Sequence, residues 1–220
     1  MLMNFEAMFF DLDDTLYPFT SGVWNAVAEK MNLYMIEVLG FDRSEVPVLR
    51  ENLFRKYGTT LRGLKTEYNI DENDFLKYVH DIPLERYLHP DKELGEILSL
   101  YSERKVIFTN ASHDHAQRVI KVLGLDGVFD QIIDITQISP WCKPFPEAFT
   151  KAFEIAGVVE PANCVLLDDS PRNLLAARQF GVYTIQVGSE FRSDGADAAV
   201  LSLLDLPSVI PANSDILKVK

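Results

Sequence analysis

Cysteine is scarce: the 220-residue chain carries two, Cys142 and Cys164, and no CxxC pair. That argues against a disulfide-stapled fold or a structural zinc site, and makes a reducing compartment, the cytoplasm, the expected location. Long apolar runs are missing as well. No stretch approaches 18 consecutive apolar residues, so no membrane span is expected. Positive charge is in deficit, with 21 Lys and Arg against 33 Asp and Glu and a net charge of −12. Such a surface argues against a nucleic-acid backbone or an anionic membrane as partner. No basic residue precedes the first apolar run, so no signal peptide is expected. Internal repeats and low-complexity tracts are absent too.

What remains is a globular balance, 47% apolar and 25% charged. Its most informative string is Met8-Phe-Phe-Asp11-Leu-Asp13-Asp-Thr15-Leu16. A short apolar run without polar alternation fits a strand buried on both faces of a parallel sheet. Ligands of such sheets sit beyond the carboxyl ends of the strands, so Asp11 and Asp13 are expected to project into a site. Further runs of this kind are Lys105–Phe108, Ile132–Ile135, Cys164–Leu167 and Tyr183–Val187, with Ala198–Val200 as an edge strand. Helical patterns lie between them, at Lys92–Tyr101, Asp114–Leu123, Glu147–Ala156 and Arg172–Phe180. The alternation predicts an α/β fold, a three-layer Rossmann-like parallel sheet with right-handed crossovers.

Residues 17–89 break that rhythm. Val23, Val27, Met31, Tyr34 and Val38 recur at helical spacing up to Gly40. Ser44 can cap a second helix running to Tyr57, Thr60–Tyr68 can form a third, and Asp71 can cap a fourth through about His80. The segment reads as an inserted α-helical cap subdomain, with residues 1–16 and 90–220 forming the core. The tail from Pro207 is expected to be an exposed, weakly ordered end.

Four predicted strand ends or loops carry reactive types: Asp11 with Asp13; Thr109 with Asn110; Lys143, held between Pro140 and Pro144; and Asp168-Asp169 with Asn173. Each alone has a plainer explanation, since an Asp after a strand is more often a turn or helix cap. Together, at one sheet edge, they make a carboxylate cluster with a hydroxyl and an ammonium group. A hard cation such as Mg²⁺ is the natural remedy for their repulsion and leaves room for a phosphate. The chemistry best supported is phosphoryl transfer to a carboxylate. His113 and His115, two apart at a helix start, make a poor chelate and read as surface or loop-packing residues. Trp141 can pack at the rim of the site or in the core.

These four elements, in this order, resemble the motifs of the haloacid dehalogenase-like superfamily of phosphohydrolases, and the insert resembles its helical cap. A narrower likeness lies in Asp13-Asp-Thr-Leu-Tyr-Pro18, in Tyr57-Gly-Thr-Thr60 with Gly63-Leu64, and in Phe108-Thr-Asn-Ala111 with His115-Ala116. These resemble the pyrimidine 5′-nucleotidase branch.

The resemblance implies that Asp11 attacks phosphorus and that Asp13 protonates the leaving group and then activates water. It implies Mg²⁺ held by Asp11, the Asp13 carbonyl and Asp169, with Asp168 against the ion or one layer out and Asn173 acting through water. Thr109 and Lys143 would hold phosphoryl oxygens, with Asn110 nearby. The carboxylate at position 13 favours ester cleavage over dehalogenation. In the cap, Tyr57, Thr59, Thr60 and Arg62 are the candidate substrate-reading residues, although a plain helix connection explains that turn equally well. The implied partner is a small phosphate ester, a nucleoside monophosphate such as UMP or CMP. Alternatives are a sugar phosphate or phosphoglycolate, and less so a mutase or a non-catalytic binding relative. Oligomeric state is not legible.

Overall fold

A computed structural model of the chain describes residues 5–212. Six parallel strands form one sheet: β1 (Ala7–Phe10), β2 (Arg104–Phe108), β3 (Gln131–Ile133), β4 (Cys164–Asp168), β5 (Tyr183–Val187) and β6 (Ala198–Val200). Their spatial order is β3-β2-β1-β4-β5-β6. The chain winds outward from β1 to β3, then returns to β4 on the other side of β1 and winds outward again. The sheet therefore has its topological switch point between β1 and β4, where such folds keep their ligands.

The helices are α1 (Val23–Leu33), α2 (Val46–Tyr57), α3 (Thr60–Tyr68), α4 (Glu72–Val79), α5 (Lys92–Ser99), α6 (His113–Leu123), α7 (Ile135–Ile138), α8 (Pro146–Ala156) and α9 (Pro171–Arg178). Successive residues of β1 feed opposite layers, as strand geometry requires. Phe9 joins Val106, Phe149 and Phe153 on the α8–α9 face, while Phe10 joins Ile107, Leu98 and Val119 on the α5–α6 face. The result is the expected three-layer α/β sandwich. A third apolar cluster lies among the inserted helices around Tyr34, Met35, Leu53, Leu64 and Phe75, and reaches Ile135 and Cys142 of the sheet-bearing part. No helix among the described residues is long and apolar enough to cross a membrane.

Several sequence expectations are corrected. The strand expected at Ile132–Ile135 ends at Ile133, because Asp134 caps α7 in a capping box with Gln137. Ser44 does not cap α2. Its own N–H and hydroxyl are taken by Asp42, and the cap position falls on Glu45 without a side-chain bond. The helix expected to run from Val23 to Val38 is α-helical only to Leu33 and finishes as a π-helical turn, Tyr34–Val38. The start of the tail is not a loose end. Leu206 and Ile210 are buried, and the Tyr101 hydroxyl donates to the Ile210 carbonyl at 2.8 Å. Residues from 213 onward lie outside the described part.

Candidate active site

β1 stops at Phe10, and the next five residues turn back so tightly that the Leu16 N–H meets the Leu12 carbonyl at 3.0 Å. Asp14 takes a left-handed φ of 61° to make that turn, a conformation costing about 1 kcal/mol or more for a residue with a Cβ. The Asp11 N–H donates to the Leu167 carbonyl at 2.9 Å, so the end of β1 is locked to β4. Asp168, the last residue of β4, therefore lies beside Asp11. The Asp169 N–H donates to Thr15 Oγ1 at 3.1 Å and ties the two loops together.

Lys143 joins these strand ends. Its ammonium group donates to Asp11 Oδ1 at 2.7 Å, Asp168 Oδ2 at 2.8 Å and the Phe108 carbonyl at 2.7 Å. All three of its hydrogens are thus satisfied in a site where Lys143 is 1% exposed. Burial presses the ammonium toward neutrality, but the charges of Asp11 and Asp168 hold it protonated above its ordinary range. Asn110 fixes the loop that carries it. Its amide donates to the Lys143 carbonyl at 3.0 Å and accepts from the Lys143 N–H at 2.9 Å. The Asn110 amide, expected near the phosphate, is thus committed to a peptide clamp at the cavity wall.

The remaining expected residues are placed as follows. Thr109 is buried on the cavity, and its Oγ1 accepts from the Ala111 N–H at 2.9 Å. Asp168 is fully buried with both oxygens in use: the Ser170 N–H, the Asn173 amide and Lys143 all donate to it. Asn173, expected to act through water, binds Asp168 directly. Oxygen atoms of Asp11, Asp168 and Asp169 lie within 4.8 Å of one another. Burial and the neighbouring carboxylates raise Asp11 above its ordinary value, and burial with Asp168 and Asp14 pushes Asp169 up to about 7. One ammonium does not balance three such carboxylates, and the donor set is all oxygen. That is the environment a hard divalent cation fits.

Asp13 has partners that its sequence neighbours do not reveal. Tyr17 donates its hydroxyl to Asp13 Oδ1, and His115 Nε2 lies 3.0 Å from the same oxygen. Burial alone would raise Asp13, but the charge and hydrogen bond of His115, with the Tyr17 bond, bring it below its usual value. His115 is 1% exposed, so the expectation of a surface or loop-packing histidine is replaced by a direct partner of the site.

Above these groups lies a cavity of about 490 Å³. The inserted helices supply its other wall: Trp24 and Met31 from α1, Phe54 from α2, Thr59 and Thr60 at the start of α3, and His80 after α4. Thr59 caps α3 by accepting from the Arg62 N–H at 3.1 Å. Tyr57 and Arg62 do not line the cavity. The Tyr57 hydroxyl donates to Glu67, and the Arg62 guanidinium stacks 4.0 Å from the Phe145 ring and 4.9 Å from that of Trp141. Arg62 thereby fastens the insert to the loop of Lys143, which Tyr57 meets through its backbone carbonyl, an acceptor for Cys142 Sγ at 3.5 Å. Gly58 lies at that contact with φ +86°, and a Cβ there would meet the Phe145 ring at 2.9 Å and Cys142 Sγ at 3.1 Å. Only glycine permits that approach without strain.

A parallel α/β sheet with a lysine-bridged carboxylate cluster at its switch point defines a class of hydrolytic enzyme folds. The chain belongs to the haloacid dehalogenase-like hydrolase family, which residues 5–181 match. It is 32% identical over 193 residues to Phosphate metabolism protein 8 of Saccharomyces cerevisiae, a match covering 80% of this chain and 60% of the yeast protein. The chain thus spans less than two thirds of that relative. Among solved structures, the protein YfnB of Bacillus subtilis, bound to magnesium, superposes with a TM-score of 0.64 at 16% identity over 94% of this chain and 99% of that one. A phosphatase of the same family from Thermococcus onnurineus gives a TM-score of 0.61 at 23% identity, covering 94% and 99%. These structural likenesses establish the fold alone.

Proposed function

We propose that the protein is a Mg²⁺-dependent phosphomonoester hydrolase that works through an aspartyl-phosphate on Asp11, with pyrimidine nucleoside monophosphates as its substrates. The observation that carries the chemistry is the shared lysine. Lys143 holds Asp11 and Asp168 at 2.7 and 2.8 Å, so Asp11 is fixed in place, and Asp13 stands two residues on at the same cavity. Asp11 attacks phosphorus while the bond to the leaving oxygen breaks, and Asp13 supplies that oxygen with a proton. Asp13, then ionised, takes a proton from the water that hydrolyses the acyl phosphate, which regenerates Asp11. Held below its usual value, the carboxyl is in the ionised form that the second step needs. The arriving phosphate dianion raises it for the first.

Asp11, Asp169 and the Asp13 carbonyl would hold the metal, with Asp168 one layer out because its oxygens are already committed. The ion would offset charge on the phosphoryl oxygens. Thr109 and Lys143 would offset the rest. Residues 17–89 would act as a cap over a core of residues 1–16 and 90–220, excluding water during transfer.

The nucleotide part of this reading is supported by the cavity wall, and the choice of a pyrimidine by the likeness of the insert string Tyr57-Gly-Thr-Thr60 to that branch. Trp24 and Phe54 offer flat apolar faces at its mouth, and the Arg172 guanidinium lies 5.0 Å over the Phe54 ring. A planar base stacks on such a surface, whereas a sugar phosphate gains little from it. Thr59 and Thr60 lie on the same wall as polar readers. The test is phosphate release from UMP, CMP, AMP, GMP, glucose 6-phosphate and phosphoglycolate, with Mg²⁺ and with EDTA. UMP and CMP should lead, and EDTA should abolish release until Mg²⁺ is restored. Metal-dependent preference for the sugar phosphates would keep the chemistry and discard the pyrimidine reading. No release from any ester would sink both.

A further inference from the structure

We infer that His115, seated by His80 of the inserted segment, is a positioning residue for the general acid: it fixes one oxygen of Asp13 so that the other faces the leaving group. The inference rests on the phosphatase reading above. His115 Nε2 and the Tyr17 hydroxyl both meet Asp13 Oδ1, while Oδ2 has no protein partner among the described residues. Two donors from different directions on one oxygen set the plane of the carboxyl group. The unpartnered oxygen is then presented to the cavity that Asp13 lines. With Asp13 as the carboxylate, the 3.0 Å contact is a hydrogen bond donated by Nε2.

His115 is itself held from both sides. It belongs to the first turn of α6, whose cap Ser112 accepts the His115 N–H through Oγ at 3.3 Å. On its far face the His80 ring stacks at 4.3 Å, tilted by 21°. His80 Nδ1 lies 3.0 Å from Ser112 Oγ, and Arg118 donates to the carbonyls of His80 and Ile82. A residue of the insert is therefore fastened to α6 directly behind the ring that orients the acid.

Packing alone does not account for this arrangement. His115 Nδ1 is buried without a hydrogen-bond partner, which a leucine or methionine of similar size would avoid. An orphaned buried ring nitrogen is a cost that natural cores rarely carry. What the histidine offers in return is the Nε2 hydrogen on Asp13.

The test is the dependence of kcat/KM on leaving group, measured on phosphate monoesters from p-nitrophenyl to alkyl. A good leaving group departs with little protonation, whereas an alkoxide needs the aligned acid. His115→Leu should lose roughly tenfold to a hundredfold more on alkyl phosphates than on p-nitrophenyl phosphate, part of what a general acid contributes. His115→Gln, whose amide can still donate to Asp13, should recover most of that differential loss. Tyr17→Phe, which keeps the ring packing, should steepen the series by a smaller factor. Equal losses across the series in His115→Leu, or glutamine no better than leucine, would overturn the inference. Should the His115 variants fail to fold, Tyr17→Phe decides alone, and a flat series there overturns it. If the wild-type protein hydrolyses no ester, the phosphatase reading falls and this inference with it. Hydrolysis by wild type with flat variants removes only the inference.

Discussion

The two walls of the cavity are built on opposite principles. On the sheet side, Lys143 and Asp168 spend every polar contact on neighbours, and Lys143 and Asp168 are 1% and 0% exposed. On the insert side, Trp24 and Phe54 are 37% and 39% exposed and form no polar bond through their side chains among the described residues. The first wall fixes charges to within a hydrogen-bond length. The second offers surface and little direction. On the proposed reading, reaction type belongs to the first wall and substrate choice to the second, although His80 and Arg62 of the insert also pack on the sheet-side groups.

The sharpest way to break the first wall is Asp11→Asn. Turnover should fall by more than roughly a thousandfold, as loss of a nucleophile requires. The metal-free melting temperature should not fall, because Asp11 is a desolvated carboxylate crowded by Asp168 and Asp169. Calorimetry beside a phosphate assay checks both halves, and a variant that lost stability as well would contradict the picture of a site strained for function. Lys143→Met reverses the pattern: it strands Asp11 and Asp168 in a buried place without their cation. The cost should be about 3–5 kcal/mol, read as a lower urea midpoint at pH 7.5. The smallest effect belongs to the second wall. Trp24→Ala should raise KM for UMP roughly fivefold, the equivalent of about 1 kcal/mol of stacking, with kcat/KM on phosphoglycolate unchanged. A matching loss on phosphoglycolate would show that Trp24 holds the wall up and does not select the substrate.

Much of this could be read from the sequence. Parallel strands buried on both faces carry unbroken apolar runs, so β1, β2, β4 and β5 stood out, and the reactive residues at their ends followed from the rule that such sheets bind ligands there. The short α7 has a sequence signal only in the capping-box spacing of Asp134 and Gln137, inside what reads as a strand. His115 was not legible, because its partner is 102 positions away and its role depends on which way the first turn of α6 faces. His80 is harder still, since it meets His115 only when the insert folds back over the sheet edge. Tyr57 and Arg62 look like ligand readers in the sequence, but polar character alone does not tell a side chain that faces a ligand from one that holds a loop.

The strand order carries a consequence for how the chain folds. Ala7 of β1 pairs with Arg104 on one side and with Cys164 on the other. The strand that leads to Asp11 is thus the first of the six in chain order, yet it is completed only when the fourth pairs with it. Until residues near 164 arrive, its β4-facing edge presents unpaired N–H and carbonyl groups on an apolar strand. Such contacts, distant in sequence, form slowly and leave partly folded chains open to aggregation. A fragment that stops before β4 lacks both the second edge of β1 and Asp168, so chemistry and completion of the sheet arrive together.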